Sequence, residues 1–130
     1  MRARVEEVRA YLEANITRDV DMVSVARQVA LSPFYLTRIF KAQYGVPPYR
    51  YLIRLRINYA TRLLRDSVLS VTQICHHAGF NSLSHFTTTF HRHVGMSPTQ
   101  YRRMVDWERD VGRYGPKTEA VLKQPRRHDF

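Results

Sequence analysis

Residues 25–51 read VARQVALSPFYLTRIFKAQYGVPPYRY, and residues 74–101 read ICHHAGFNSLSHFTTTFHRHVGMSPTQY. The second stretch repeats the first. With one extra residue in its turn, Val25 pairs with Ile74, Val29 with Ala78 and Leu31 with Phe80. Leu36 then pairs with Phe86, Phe40 with Phe90, Gly45 with Gly95, Pro48 with Pro98 and Tyr51 with Tyr101. An internal repeat in a chain of 130 residues decides the architecture before any other signal does. Each copy reads as a short helix, a turn and a second helix with a polar outer face. Two such helix-turn-helix units in a strongly basic chain read as two heads for a DNA duplex.

The rest of the chain follows from periodicity and punctuation. Val5, Val8, Leu12 and Ile16 recur at helical spacing and predict an amphipathic first helix. Residues 22–30 form a second helix with Val25, Ala26 and Val29 inward. Ser32 caps a third helix that has Pro33 at its first position, runs to about Tyr44 and closes at Gly45. Pro47-Pro48 opens a long fourth helix to about Asp66. Its apolar arc holds Leu52, Ile53, Leu55, Ile57, Tyr59, Ala60, Leu63 and Leu64, and its opposite arc holds Arg50, Arg54, Arg62 and Arg65. Arg56 falls inside the apolar arc and so predicts a structural arginine with a buried acceptor or acid partner. Residues 71–78 form the fifth helix and 79–81 the second turn. Residues 82–94 form the sixth, capped by Ser82, and Ser97-Pro98 starts a seventh that continues through Trp107 towards Arg109. The chain therefore reads as all-α. Residues 1–52 are a first helix-turn-helix subdomain, 47–66 a linker helix and 67–109 a second subdomain. Residues 110–130 read as a disordered tail that Trp107 anchors.

The net charge is +10. Between Met22 and Met104 the only acid is Asp66, against Arg27, Arg38, Lys41, Arg50, Arg54, Arg56, Arg62, Arg65, Arg92, Arg102 and Arg103. Such a field attracts a polyanion, most simply a nucleic-acid backbone. The single cysteine, Cys75, excludes an internal disulfide, and no apolar run approaches the length of a membrane span. These features point to a cytoplasmic, nucleoid-associated protein without membrane contact.

The sequence Ala78-Gly79-Phe80-Asn81-Ser82, followed by Ser84-His85-Phe86, Phe90, Gly95, Ser97-Pro98 and Tyr101-Arg102, resembles the DNA-binding domain of the AraC/XylS family of bacterial transcription regulators. The first half matches through Ala26, Ser32, Leu36, Phe40, Gly45 and Tyr51, and the linker through Arg56, Ala60 and Leu63-Leu64. The resemblance covers about residues 5–104. It implies a seven-helix, two-lobed module whose two recognition helices enter successive major-groove segments on one face of the DNA. It also implies a regulator, usually an activator. Larger members carry an effector-binding or dimerising domain, so the chain reads either as a stand-alone regulator or as the excised domain of a longer one.

On the first recognition helix the outward face presents Phe34, Thr37, Arg38 and Lys41 as base contacts. Arg38 suits bidentate recognition of guanine, and Thr37 a base hydrogen bond or a thymine methyl. Phe34 either packs on thymine methyls or covers the lobe core. The matching face of the second helix is Leu83, Ser84, His85 and Thr88. Thr88 stands where many family members carry arginine, which gives this head a weaker readout than a guanidinium fork. The first head is therefore expected to dominate discrimination, and the second to contribute positioning. Arg50, Arg54, Arg62 and Arg92, with the helix starts at Ser32, Ser82 and Ser97, are the expected phosphate contacts. Leu36, Ile39, Phe40, Phe86 and Phe90 are core, Cys75 is a small core residue aligned with Ala26, and Tyr51 and Tyr101 brace the helix after each head.

No metal or cofactor is expected. His76, His77, His85, His91 and His93 with Cys75 fit no standard zinc spacing. Ser84 and His85 are adjacent on a helix and make no nucleophile–base pair. No phosphate loop or carboxylate pair is apparent, so an enzyme is the least supported class. The partner is double-stranded DNA, bound by a monomer, with RNA polymerase as a further partner. The competing classes are a weakly specific architectural nucleic-acid binder and a module that docks on RNA polymerase. Competition by unrelated DNA at fixed salt separates the first of these from a specific reader.

Overall fold

The computed structural model describes residues 1–114; residues 115–130, which hold most of the expected tail, lie outside the described residues. Among the described residues all regular structure is α-helical. The helices are α1 (Arg2–Ala14), α2 (Met22–Gln28), α3 (Pro33–Tyr44), α4 (Pro48–Asp66), α5 (Val71–His77), α6 (Leu83–Val94) and α7 (Pro98–Tyr114). The chain divides into two compact units. The first is Met1–Arg56 and the second starts at Ile57, so α4 begins in one and ends in the other.

In the first unit α3 packs on α1 and α2. The core is Val5, Val8, Leu12, Val25, Ala26, Val29, Leu36, Phe40 and Leu52. Val5, Val8 and Leu12 are the inward stripe expected of α1, but α1 ends at Ala14, before Ile16. Asn15 stops it and donates Nδ2–H to the Tyr11 carbonyl at 2.8 Å. Ile16 and Arg18 sit in the turn beyond, where Arg56 reaches back to them. Arg56 is buried; its Nε donates to Ile16 O at 2.9 Å and its Nη2 to Arg18 O at 2.7 Å. The arginine in the apolar arc is thus satisfied by backbone carbonyls, and its partner is not a buried carboxylate.

In the second unit α6 packs on α5 and α7. Phe80, Phe86, Phe90 and Tyr101 form a chain of ring contacts, with centroids 5.1, 5.8 and 5.8 Å apart. Arg102 on α7 plays a part like that of Arg56. It donates to the carbonyls of Leu64 at 3.2 Å, Ser67 at 3.3 Å and Leu63 at 3.5 Å, and its Nη1 donates to Leu69 O at 2.5 Å. In each unit an arginine on the helix after the head therefore ties down the segment that leads into that head.

The repeat seen in the sequence is a repeat of hydrogen bonds. Leu31 N donates to Ala26 O, and its counterpart Phe80 N donates to Cys75 O. Ala30 and Gly79 occupy the same place in the two turns with φ of 58° and 88°. Gly45 and Gly95 close α3 and α6 in the left-handed conformation, donating to Lys41 O and His91 O. Tyr51 meets Phe40 edge-on at 5.5 Å, and Tyr101 meets Phe90 edge-on at 5.8 Å.

One detail of the C-terminal end differs from expectation: helix α7 runs on to Tyr114, past Arg109. Trp107 is 58% exposed, and the rest of the tail it was expected to anchor lies outside the described residues.

Candidate nucleic-acid interface

Helices α3 and α6 are built alike. Each starts behind a serine whose Oγ accepts a backbone N–H three residues on. Ser32 takes Tyr35 N and Ser82 takes His85 N, both at 3.1 Å. This caps the helix and leaves the hydroxyl proton to donate outward. Each helix buries one side on its own unit. Leu36 and Phe40 are 1% and 0% exposed, and Phe86 and Phe90 are both 0%. Helical periodicity puts Phe34, Thr37, Arg38 and Lys41 on one helix, and Leu83, Ser84, His85 and Thr88 on the other, on the opposite side, which is exposed.

On α3 the open side carries Phe34, Thr37, Arg38 and Lys41, all exposed. Their spacing of three and four places them along one face. Phe34 is 73% exposed, so it does not cover the core of its lobe. Thr37 Oγ1 donates to Pro33 O at 2.9 Å, which engages its proton and leaves a methyl and an acceptor lone pair. Tyr35, absent from the expected set, is 41% exposed on the first turn. On α6 the open side carries Leu83, Ser84, His85, Thr88 and Arg92, all exposed. The His85 ring rests against Phe80 at 5.5 Å and 64°, which braces it. Ile39 is half-buried, and Cys75 is fully buried like Ala26.

Arg50 and Arg62 are exposed on α4, while Arg54 is half-buried. Ser97 differs from the other two helix starts. Its Oγ accepts Gln100 N at 3.1 Å and its own N–H donates to Gln100 Oε1 at 3.0 Å, a reciprocal cap that engages the backbone donor. Ser70 and Gln73 make the same box at the start of α5. Asp66, the lone acid of the central stretch, pairs with Arg109 at 3.4 Å.

One polar network was not legible in the sequence beyond its i,i+4 pair. Arg9 bonds both oxygens of Glu13, at 3.1 and 3.0 Å, and reaches Tyr44 Oη at 3.3 Å. The Tyr51 hydroxyl donates to Glu13 at 2.6 Å. That bond, followed by Arg9, holds the Glu13 carboxyl below its ordinary value of 4.5. Burial and the facing carboxylate push the Tyr51 phenol up. The network joins α1, the end of α3 and the start of α4. Among the described residues no cluster of His, Cys, Asp and Glu can hold a metal, and no helix is long and apolar enough to cross a membrane.

Two helix-turn-helix units, each with a capped and outward-facing second helix, define a double-headed nucleic-acid-binding class. A model for a helix-turn-helix domain family matches residues 25–104. The chain belongs to the AraC-type helix-turn-helix family. The transcriptional activator RhaS of Shigella boydii serotype 18 is 42% identical over 104 residues, covering 80% of this chain and 37% of RhaS. The chain thus spans little more than a third of the length of that relative. A solved AraC-type regulator from Chromobacterium violaceum superposes with a TM-score of 0.72 at 32% identity, covering 80% of this chain and 93% of the other. The DNA-binding domain of AdpA, a global transcriptional factor solved with a target DNA, superposes with a TM-score of 0.73 at 28% identity, covering 85% and 95%.

Proposed function

We propose that the chain is a sequence-specific reader of double-stranded DNA and the DNA-binding part of a transcription activator. Helices α3 and α6 enter successive major-groove segments. One observation carries this role: the chain holds two second helices of the same construction, each with its open face free of acids. Tethering two heads raises the effective concentration of the second once the first is bound. A single chain can therefore read an asymmetric site as a monomer. The name of RhaS and the DNA-bound AdpA domain support the assignment. RNA polymerase is the further partner an activator implies, and the nucleoid the place where it works.

In this role Phe34, Thr37, Arg38 and Lys41 meet bases through the first head. Leu83, Ser84, His85 and Thr88 do so through the second. Arg50, Arg54, Arg62, Arg92 and the helix starts at Ser32, Ser82 and Ser97 hold phosphates. Ser32 and Ser82 suit this best, because their hydroxyl protons point to no partner of their own cap. Arg38 is the strongest single determinant, since a guanidinium fork matches guanine O6 and N7.

The test is selection of bound sites from a random duplex library at near-physiological salt, with wild type and Arg38→Ala in parallel. A long asymmetric motif, blurred in one half by Arg38→Ala, is the expected outcome. The absence of any enriched motif, with binding that only weakens as salt rises, would replace this role by that of a weakly specific architectural protein.

A further inference from the structure

Resting on the DNA-reading role proposed above, we infer that the second head recognises thymine through its methyl group. Leu83 and Thr88 on α6 pack against C5-methyls in the major groove, and no bidentate hydrogen bond grips a base there.

The composition of the open face carries this inference. Residues 83–88 read Leu-Ser-His-Phe-Thr-Thr. They include no arginine or lysine for guanine, no asparagine or glutamine for adenine, and no carboxylate for cytosine. The repeat register sharpens the contrast. Thr88 occupies in α6 the place that Arg38 occupies in α3, thirteen residues short of Tyr101 as Arg38 is of Tyr51, and with Phe90 two residues on as Phe40 is from Arg38. Both residues are exposed. A donor fork on one head is therefore a methyl and a hydroxyl on the other. Leu83, at the first position of α6, is 42% exposed although it is large and apolar. The Ser84 hydroxyl and the His85 imidazole are the remaining polar groups, neither a bidentate fork, and the His85 ring is held against Phe80 at 5.5 Å. Thymine alone among the four bases presents a methyl to the major groove, so an apolar surface at the helix tip discriminates by that group.

The same surface does not distinguish thymine from another base with a methyl at C5. A 5-methylcytosine in the contacted position then satisfies Leu83 or Thr88 where cytosine does not, and binding becomes sensitive to cytosine methylation.

The experiment uses the full chain and the duplex enriched in the selection described above. The half-site belonging to α6 is the one that Arg38→Ala leaves sharp. Each thymine is replaced in turn by uracil, which removes the methyl and keeps the base-pairing edge. Affinity is expected to fall about fourfold for each contacted methyl, the size of taking one methyl group out of apolar contact. Leu83→Ala or Thr88→Ser should weaken binding to the parent duplex and erase the difference between thymine and uracil. A 5-methylcytosine–guanine pair at a contacted position should bind more tightly than cytosine–guanine by a similar factor. Uracil duplexes bound as tightly as the parent by wild type, from a library that does yield a motif, would overturn the methyl readout and leave the DNA-reading role standing. A library that yields no motif would remove both.

Discussion

Arg56 and Arg102 show how a charged side chain comes to be structural. Each guanidinium lies among the backbone carbonyls of a turn, and each supplies several N–H groups in a fixed plane. Burial pulls the Arg56 basicity down, yet guanidinium keeps its proton across the ordinary pH range. Arg56→Ala should cost about 3 kcal/mol, as two charge-assisted hydrogen bonds are lost and carbonyls are left half-buried. Arg56→Lys should recover only a minor part, because an ammonium cannot meet both carbonyls in the same geometry. Urea unfolding of the three proteins measures this directly.

The Tyr51–Glu13 bond belongs to the same scale. Glu13 has its folded-state pKa below the ordinary value, so its contribution is present above about pH 4.5 and is lost as pH falls through the folded value. Tyr51 is shifted the other way; its contribution is present below pH 10 and is lost as pH rises beyond it. Tyr51→Phe should lower stability at pH 7 by about 0.5–1 kcal/mol, a modest figure because Glu13 is exposed. It should also flatten part of the decline in acid, read from thermal unfolding between pH 3 and pH 7. The Cys75 thiol is buried, and burial raises its pKa. It should resist thiol reagents until the second unit unfolds.

At the scale of the element, the two turns pose one backbone problem and answer it with different residues. The residue just after the helix cap is left-handed in both, Ala30 after Val29 in the first head and Gly79 after Ala78 in the second. An alanine there crowds its Cβ against the following carbonyl, at a cost of about 1 kcal/mol. Ala30→Gly should therefore stabilise the first unit, by up to about 0.5 kcal/mol once the greater freedom of the unfolded glycine is counted. Gly79→Ala should destabilise the second by about 1 kcal/mol. Denaturant midpoints of the two variants should move in opposite directions. The serine caps act at this scale too. Ser82→Ala removes the acceptor for His85 N and should cost about 1 kcal/mol.

For the whole molecule the governing quantity is charge. A net charge of +10 with almost no acid between Met22 and Met104 makes any binding to DNA strongly dependent on salt. The exposed arginines Arg50 and Arg62 should each contribute roughly one unit of slope in a plot of log affinity against log salt. The double variant Arg50→Ala with Arg62→Ala should therefore bind more weakly at low salt and lose about two units of slope, while the selected motif stays unchanged. A motif altered by this pair would show that these arginines read bases.

The helices and the faces of α3 and α6 were legible in the chain because they rest on local rules. Apolar residues at three- and four-residue spacing mark the buried stripe, and Ser32, Ser82, Gly45 and Gly95 mark the ends by backbone chemistry. The repeat itself showed that Phe40 and Phe90, or Ala26 and Cys75, must do the same work. Partners distant in sequence follow no local rule. The carbonyls of Ile16 and Arg18 became acceptors for Arg56 only when the turn after α1 was folded beneath α4. The exposure of Phe34 and Trp107, and the junction of Arg9, Glu13, Tyr44 and Tyr51, likewise depend on which surfaces meet. The sequence by itself determined the two-headed helical plan and the residues its heads present, since helical periodicity and capping are short-range. Only the tertiary structure decided which polar groups are engaged inside the protein and which remain for a partner, since burial and hydrogen bonding are settled by neighbours far along the chain.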